Sequence, residues 1–269
     1  MDWKTKYSYH SLEDFLISRP LTVDAELNDG WGAMFPVKGI ELEATIFFAD
    51  ISYFSGRTRE LNPTEILIFV NNYFSWITAE AIKGRPCIID KYIGDEVMVL
   101  FSKEFGSEDP FEDALNSARW MSENDMLNFC PHMGISSGLV TAGYVGTPLK
   151  YNCSVFGTPV TIASRCAGVR VQGIYGSSIV FPAELWEDRN LDEVFPLTKY
   201  KNREGKIIEQ LQCWELREPR KLDLKNVGKL EIRELVNHVE HRPTQSAVDR
   251  AKQSLDDLSK SGHYHPKQV

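Results

Sequence analysis

Long apolar runs are missing from this sequence, although 42% of its 269 residues are hydrophobic. No stretch reaches the length of about 18 apolar residues that a membrane-spanning helix needs. The N-terminal residues, MDWKTKYSYHSLEDF, also lack the apolar core of a secretory signal. We therefore expect a cytoplasmic protein with no membrane partner.

Cysteine is scarce and paired cysteine motifs are absent. The cysteines are five in number and widely spaced, so the sequence predicts neither a disulfide framework nor a zinc knuckle. We interpret them as reduced thiols that pack as small hydrophobic side chains. Two histidines close to the C-terminus, His263 and His265, are interpreted as solvated side chains rather than metal ligands.

Positive charge is also limited. Thirty Lys and Arg residues stand against 38 Asp and Glu residues, which gives a formal net charge of -8, and the basic residues form no cluster. Because proteins bind the phosphate backbone through clustered Lys and Arg, we expect no nucleic-acid partner. A small charged ligand at a local site is compatible with this composition.

The residues that are present divide into three segments. Residues 1–41 are interpreted as an N-terminal arm that contains a Gly-Trp-Gly tract, and residues 42–217 as the main domain. Residues 218–269 are interpreted as a helical tail, with two helical patterns in 230–258 interrupted at Pro243. A chain of this length can bury one core with additions.

The main domain has the patterns of alternating strands and helices. A β-branched and aromatic run at 45–48 predicts a strand, and Asn62 and Pro63 predict the start of a long amphipathic helix. Gly94 predicts a hairpin turn between two further strands. The remaining predictions are strands at 87–91, 96–101, 132–140, 155–156, 179–181 and 207–216, and helices from 109 and over 160–167. The order predicts an α+β fold with a ferredoxin-like βαββαβ core and additional C-terminal strands and helices.

Two aspartates occupy similar positions in this pattern. Asp50 follows an apolar strand in FFADISYFS, and Asp95 lies in the hairpin DKYIGDEVMVLF. A single Asp at a strand end is ordinarily a turn or capping residue. Two of them held by apolar strands predict a metal site, since Mg²⁺ and Mn²⁺ prefer oxygen ligands. The amides of the loop 51–55, including those of Phe54 and Ser55, are candidates for binding phosphate.

The motifs FFADISYFS, DKYIGDEVMVLF, GISSGLVTAGYVGT and SVFGTPVTIASRC, in this order, resemble the class III nucleotidyl cyclase catalytic domain. The resemblance covers roughly residues 42–216. It implies a homodimer with shared active sites, two divalent metal ions, Mn²⁺ or Mg²⁺, per site, and a nucleoside triphosphate substrate. The 3′-hydroxyl would attack the α-phosphate and release pyrophosphate.

The resemblance assigns roles by position. Asp50, Asp95 and the Ile51 carbonyl match the metal ligands, Arg165 matches the arginine that stabilises the transition state, and Lys91 matches the lysine that reads the base. A surface helix arginine is the alternative interpretation of Arg165. The further assignment is that Lys201 matches a phosphate-binding lysine, with a solvated loop lysine as the alternative.

Three positions depart from the adenylate cyclase pattern. Ser154 replaces the aspartate that reads adenine, Thr161 replaces the transition-state asparagine, and Tyr53 replaces a glycine. We expect the Tyr53 ring to shrink the site so that a pyrimidine fits. The combination is similar to the bacterial pyrimidine cyclases of Pycsar antiphage systems, in which the cyclic nucleotide activates a separately encoded effector without direct contact.

The choice of base follows from Lys91, which only donates hydrogen bonds and therefore suits the O4 acceptor of uracil. The prediction is a uridylate cyclase that makes cyclic UMP. Three alternatives remain open: a cytidylate cyclase, an adenylate cyclase in which Tyr53 only packs against the core, and a cyclase-like module that binds nucleotide without turnover.

Overall fold

The computed structural model describes residues 8–26, 35, 37–82, 84–125, 127–147, 149–173, 176–202, 204–238 and 245–262. The Gly-Trp-Gly tract at 30–32, Pro243, His263 and His265 lie outside the described residues, as does the side chain of Lys201. Within the described ranges, no helix is both long enough and apolar enough to cross a membrane.

Helices and strands alternate through the chain. The strands are β1 (Val23–Ala25), β2 (Val37–Asp50), β3 (Cys87–Ile93), β4 (Glu96–Phe101), β5 (His132–Thr147), β6 (Lys150–Phe156), β7 (Ser178–Pro182), β8 (Thr198–Lys201), β9 (Ile207–Leu211), β10 (Trp214–Leu216), β11 (Arg220–Leu224) and β12 (Gly228–Asn237). The α-helices are α1 (Leu12–Ser18), α2 (Phe54–Thr58), α3 (Pro63–Trp76), α4 (Pro110–Glu123), α5 (Thr158–Ala167), α6 (Leu191–Val194) and α7 (Ala247–Lys260). A π-helical turn (Ile77–Ala81) extends α3, and 3₁₀ turns occupy Lys103–Phe105 and Ala183–Trp186.

One mixed sheet organises the molecule, with the order β10-β12-β7-β5-β2-β4-β3. The strands β1, β11 and β6 pair at its margins, and β8 and β9 form a separate hairpin. The run β5-β2-β4-β3 is antiparallel throughout, and β7 joins β5 in parallel. The predicted α+β fold with a ferredoxin-like core is confirmed.

Both faces of the central strand β2 are covered. Phe47 and Ala49 point into the core that holds α3 and α4, whereas Ile46 and Phe48 point into the core that holds α1 and α5. A strand buried on both faces reads as a continuous apolar run, which explains the strand signal in the sequence. By the same alternation, Asp50 at the end of β2 lies on the α5 side.

The start of α3 is fixed by its own sequence. The Asn62 side chain accepts a hydrogen bond from the Glu65 amide at 3.0 Å, and the Glu65 carboxylate accepts one from the Asn62 amide at 2.8 Å. Pro63 occupies the first turn, where its missing N–H costs nothing. This reciprocal cap confirms the predicted helix start.

The C-terminal segment differs from its predicted helical character. Residues 220–237 form a β-hairpin, and β12 lies between β10 and β7 in the main sheet. Asn226 and Gly228 adopt positive φ values of 65° and 92°, which makes the turn. Ile232, Leu235 and Val236 have the spacing of a helix face, whereas Leu230, Ile232 and Val236 share one face of a strand. The apolar pattern is therefore ambiguous, and the helical prediction for this part is wrong. The second pattern does form a helix, α7.

Candidate active site at the end of the central strands

Asp50 and Asp95 lie together at one end of the sheet. Asp50 ends β2, and Asp95 occupies the turn between β3 and β4 after Gly94, whose φ is 65°. A positive φ at the first turn position is what a two-residue hairpin requires. The two carboxyl groups lie close enough together for Asp95 to raise the pKa of Asp50. The predicted pairing of these aspartates is therefore present within one chain.

A third carboxylate joins them. Glu96 is paired with Asp50 across β2 and β4. Burial, followed by the charge of Asp95, raises the pKa of Glu96 to about 7. Burial, then the contact with Asp95 and the charges of Asp95 and Glu96, raises the pKa of Asp50 well above its usual range. We call Asp50, Asp95 and Glu96 the metal edge.

Two basic residues that the sequence did not indicate adjoin the metal edge. His132 is paired with Asp50 across β2 and β5, and its Nδ1 lies 2.9 Å from Ser178 Oγ. Burial, aided by the charges of Arg170 and Arg57, lowers the pKa of His132 to about 4, so its ring is neutral at neutral pH. Arg170 also opposes the rise in the pKa of Asp50. Neither residue was predicted, because strand pairing across distant segments brings them here.

The donor set fits a divalent cation. Carboxylates that repel one another at a partly buried strand end are relieved by a hard cation, and oxygen ligands suit Mg²⁺ and Mn²⁺. Ile51 has its side chain buried, which leaves its main-chain carbonyl as the group it can offer. In the described part of the chain, no three His, Cys, Asp or Glu side chains form a cation cage by themselves. Such a site needs oxygens from a substrate to complete it.

The loop after Asp50 leads into the short helix α2. Tyr53 precedes α2 in the left-handed conformation, with φ 56° and ψ 35°, and makes no side-chain cap. Its ring lies on Gly56, where an added Cβ would sit 2.0 Å from Tyr53 Cε1. The residue is nevertheless 69% exposed. The Phe54 side chain packs against the core, whereas Ser55 is exposed. What the two predicted phosphate-binding residues have in common is therefore the position of their backbone amides at the start of α2.

A buried arginine supports this loop. Arg57 is 1% exposed, and its Nη2 donates to Ser52 Oγ at 3.0 Å while Nη1 contacts the Asn128 carbonyl. Ser52 Oγ donates to the Phe129 carbonyl at 3.3 Å. These bonds tie the loop that carries Ile51 to the segment before β5. Arg57 was not singled out from the sequence, in which nothing distinguishes it from a surface helix arginine.

The C-terminal helix α7 supports the same region. Ser254 Oγ donates to the Leu127 carbonyl at 2.9 Å, and Lys252 Nζ lies 2.9 Å from Glu60 Oε2. Ala251 and Leu255 are buried in the core beside α3. The helix therefore braces both α2 and the segment before β5.

The residues predicted to read the base also meet. Lys91 on β3 places Nζ in contact with Ser154 Oγ on β6, and Ser154 is 6% exposed. Lys91 Nζ also lies 3.0 Å from Asp90 Oδ2. Lys91 and Ser154 thus form one group, in which Lys91 belongs to the β3–β4 hairpin that carries Asp95 and Ser154 belongs to β6.

The helix α5 presents its predicted residues to the outside. Gly134 lets α5 pack directly on β5, since a Cβ there would lie 2.0 Å from the Ala163 carbonyl oxygen. Thr161 and Arg165, one turn apart, are both exposed. Arg165 Nε donates to the Lys225 carbonyl at 3.2 Å, beside a cleft of about 850 Å³ that Arg170 also lines. Arg165 makes no direct contact with Asp50, but its charge opposes the rise in the pKa of Glu96 in the same chain.

Lys201 ends β8, where its backbone is paired with Ile207 beside a register shift. Its side chain lies outside the described residues, so its predicted contact with phosphate stays a prediction.

The chain matches known proteins over most of its length. The profile of the Adenylate and Guanylate cyclase catalytic domain matches residues 39–174, just over half of the chain. An adenylate cyclase of Anabaena cylindrica is 28% identical over 212 residues, which are 72% of this chain and 40% of that protein. A terminal-differentiation specific adenylate cyclase of Dictyostelium discoideum is 27% identical over 129 residues, or 45% of this chain and 6% of that protein. This chain thus spans less than half the length of both relatives.

Solved structures show the same fold. The adenylyl cyclase CyaB from P. aeruginosa superposes with a TM-score of 0.54 at 19% identity, over 76% of this chain and 99% of that chain. The guanylyl cyclase Cya2 superposes with a TM-score of 0.54 at 20% identity, over 78% and 98% of the two chains. At these identities the likeness extends to the fold alone.

Proposed function

The chain belongs to the adenylate and guanylate cyclase catalytic domain family, and from this premise we propose that it converts UTP to 3′,5′-cyclic UMP and pyrophosphate. The observation that carries cyclase chemistry is the proximity of Asp50, Asp95 and Glu96, because a divalent cation would favour the ionised form of these crowded carboxyls. Asp50, Asp95 and the Ile51 carbonyl would hold two divalent metal ions, Mg²⁺ or Mn²⁺, together with the triphosphate. When bound, such ions lower the pKa of the 3′-hydroxyl and neutralise phosphate charge.

The protein's own groups bind and orient the triphosphate. The amides of Phe54 and Ser55 and the side chain of Lys201 bind its phosphates in this proposal. Arg165 contacts the phosphate that carries charge in the transition state, through a fork that fits two oxygens. Thr161, one turn away on the same exposed face of α5, donates a hydroxyl hydrogen bond to the substrate in this proposal.

The active site in this proposal is shared by two copies of the chain. Its support is the outward exposure of Arg165 while Asp50 and Asp95 lie at the strand ends. Large apolar side chains exposed on β3, β5 and β6 offer a surface for a second copy; they include Tyr92 at 47%, Leu139 at 57% and Phe156 at 49%. In a symmetric dimer, Arg165, Lys91 and Ser154 of one copy face the metal edge of the other.

Pyrimidine preference rests on Tyr53 and on the pair of Lys91 and Ser154. Tyr53 as a whole residue is 69% exposed rather than buried in the core, so it is available to contact a nucleotide. Lys91 donates to the O4 oxygen of uracil. Cytidylate cyclase is the closest alternative, in which Lys91 meets the O2 oxygen instead.

We further propose that the protein acts in antiphage defence, as the pyrimidine cyclases do that its sequence resembles at Tyr53, Ser154 and Thr161. Infection by phage triggers synthesis of the cyclic pyrimidine nucleotide, which then activates a separately encoded effector without direct contact.

Adenylate cyclase is a second candidate with its own support. The Anabaena relative bears that name, and the contact of the Tyr53 ring with Gly56 is what a merely packing tyrosine would make. A nucleotide-binding module without turnover is the third candidate, favoured by Thr161 in place of asparagine.

The first experiment measures pyrophosphate release from UTP, CTP, GTP and ATP with Mn²⁺ present. We expect release that is abolished in Asp50→Ala. Absence of release with every triphosphate would favour the binding module over an enzyme.

A further inference from the structure

Asp90 is a buried carboxylate in an irregular part of β3. The register of β3 against β4 shifts between Ile89 and Lys91, which makes Asp90 the extra residue of a bulge. Its side chain is 0% exposed, and Lys91 Nζ lies 3.0 Å from its Oδ2. Bulges re-aim side chains, and here the bulge allows two consecutive residues to form an ion pair.

Asp90 has little else to compensate its charge. Beyond the ammonium of Lys91, neither carboxylate oxygen has a hydrogen-bond partner in the described part of the chain. Burial raises the pKa of Asp90, and the hydrogen bond and charge of Lys91 oppose that rise. A buried carboxylate with one partner is costly, and fixing the position of that partner is a role that accounts for it.

Lys91 passes this constraint on to Ser154. Its Nζ contacts Ser154 Oγ, and because an ammonium only donates, the serine oxygen must accept. The hydroxyl hydrogen of Ser154 is then directed elsewhere. One further N–H of Lys91 is also left over. We call Asp90, Lys91 and Ser154 the recognition relay.

We propose that Asp90 is a positioning residue that fixes the direction of the recognition relay, so that Lys91 and Ser154 each turn a hydrogen-bond donor toward the base. The relay then selects a base with an oxo group at the recognised edge, uracil among pyrimidines and guanine among purines. The amino groups of cytosine and adenine meet donors there and are disfavoured. This inference rests on the proposed nucleotide site and adds both a residue and a rule for the base.

The test compares the four triphosphates in the wild type, Asp90→Asn and Asp90→Glu. In the wild type we expect kcat/KM to favour UTP over CTP and GTP over ATP, each by about 10- to 100-fold. Asp90→Asn should lose most of both ratios through a higher KM for UTP and GTP, with kcat and the Mn²⁺ requirement nearly unchanged. Asp90→Glu keeps the charge and should restore part of the ratios.

Matched variants guard against a loss of folding. Asp24→Asn removes an exposed acid that lies 3.9 Å from Lys38 and should leave both ratios intact. Ser154→Ala removes one donor without touching Asp90 and should lower both ratios in the same sense. A preference for CTP or ATP in the wild type, or unchanged ratios in a folded Asp90→Asn or Ser154→Ala, would overturn the inference.

Binding measurements separate this inference from the proposed activity. With Ca²⁺ as the cation, calorimetry with UTP and CTP reports recognition without requiring turnover. If the wild type binds UTP more tightly than CTP but releases no pyrophosphate, the proposed activity fails and the recognition relay stands. If the wild type binds neither nucleotide, both fail.

Discussion

The metal edge and the recognition relay both include residues of the β3–β4 hairpin but balance their charges in opposite ways. At the metal edge, Asp50, Asp95 and Glu96 are gathered at strand ends, and their burial and mutual repulsion raise the pKa of Asp50 and of Glu96. In the recognition relay, the buried carboxylate of Asp90 meets the ammonium of Lys91, which in turn contacts Ser154. The carboxyl groups of the metal edge carry charges of the same sign, which a bound cation would compensate. In the recognition relay, the carboxylate already has an ammonium partner.

This difference assigns the cyclisation reaction to the metal edge and the selection of the base to the recognition relay. A group of like charges depends on its metal ion and substrate for stability and activity. A group that is already paired has a fixed hydrogen-bond direction, so it favours one base without changing the reaction. Substitutions at the metal edge should therefore affect every triphosphate equally, and substitutions around the recognition relay should affect their ratios.

The largest effect is expected at the metal edge. Asp95→Ala removes a proposed metal ligand that every triphosphate would need, and we expect kcat/KM to fall by about 10³-fold or more with all of them. Pyrophosphate release with each triphosphate measures this. Glu231→Gln, an exposed acid on β12, is the control and should be active. An Asp95→Ala protein that lost activity with UTP alone would contradict the separation of the two regions.

A smaller loss of activity is expected when Arg57, which supports the loop that carries Ile51, is replaced. Arg57→Leu breaks the bond to Ser52, so we expect a loss of about 10- to 100-fold, as for residues that orient metal ligands. The loss should appear as a higher Mn²⁺ requirement with the substrate ratios preserved. Arg59→Leu, with its side chain 74% exposed, is the matched control. An Arg57→Leu protein with an unchanged Mn²⁺ requirement would show that the loop carrying Ile51 keeps its conformation without Arg57.

Tyr53→Gly addresses base size rather than chemistry. Enlarging the site should raise the ratio of kcat/KM for ATP to that for UTP by about tenfold, a typical gain from a change in pocket fit. Glycine also removes the cost of the left-handed backbone, about 1 kcal/mol, so the thermal midpoint should not fall. If the ratio stays the same, Tyr53 only packs on Gly56 and the adenylate alternative gains.

The smallest effect concerns pH and the stability of the metal-free protein. The folded-state pKa of Asp50 is raised above its unfolded value, so the protonated carboxyl favours folding at low pH. That contribution is lost as pH rises through the raised pKa, and Glu96 adds the same trend around pH 7. We expect the thermal midpoint to fall by about 2–4 °C as the pH rises from the usual carboxyl pKa of 4.5 to about 7. Differential scanning fluorimetry measures this fall.

Two comparisons decide the origin of that slope. Mn²⁺ should reduce it, because the cation favours the ionised carboxylates, and Asp50→Asn should flatten it. An equal slope in Asp50→Asn would place its source in other buried carboxylates, such as Asp125, whose pKa burial also raises.

The sequence predicts those features that depend on local pattern. The continuous apolar run of β2, the cap at Asn62 and the turn at Gly94 each have a local signal, and the structure confirms them. The sequence wrongly predicted helix for β12, because Ile232, Leu235 and Val236 also have helical spacing and the pairing of β12 with β7 is not local.

The site is predictable to the same degree. Asp50 and Asp95 were found from their strand-end positions, since strong flanking strands fix where they lie. The sequence did not predict a role for Arg57 or Asp90, because the role of each depends on burial of its side chain by distant segments. The bulge at Asp90 has no signal in the sequence. The assignment of Arg165 and Thr161 to a site shared by two copies stays a prediction.

The most direct measurement incubates the purified protein with UTP, CTP, GTP and ATP separately in Mn²⁺ and identifies the products by mass. The metal edge predicts a cyclic nucleotide and pyrophosphate, and Tyr53 with the recognition relay predicts cyclic UMP as the dominant product. Cyclic AMP as the dominant product would contradict the base assignment, and no cyclic product from any triphosphate would contradict cyclase activity itself.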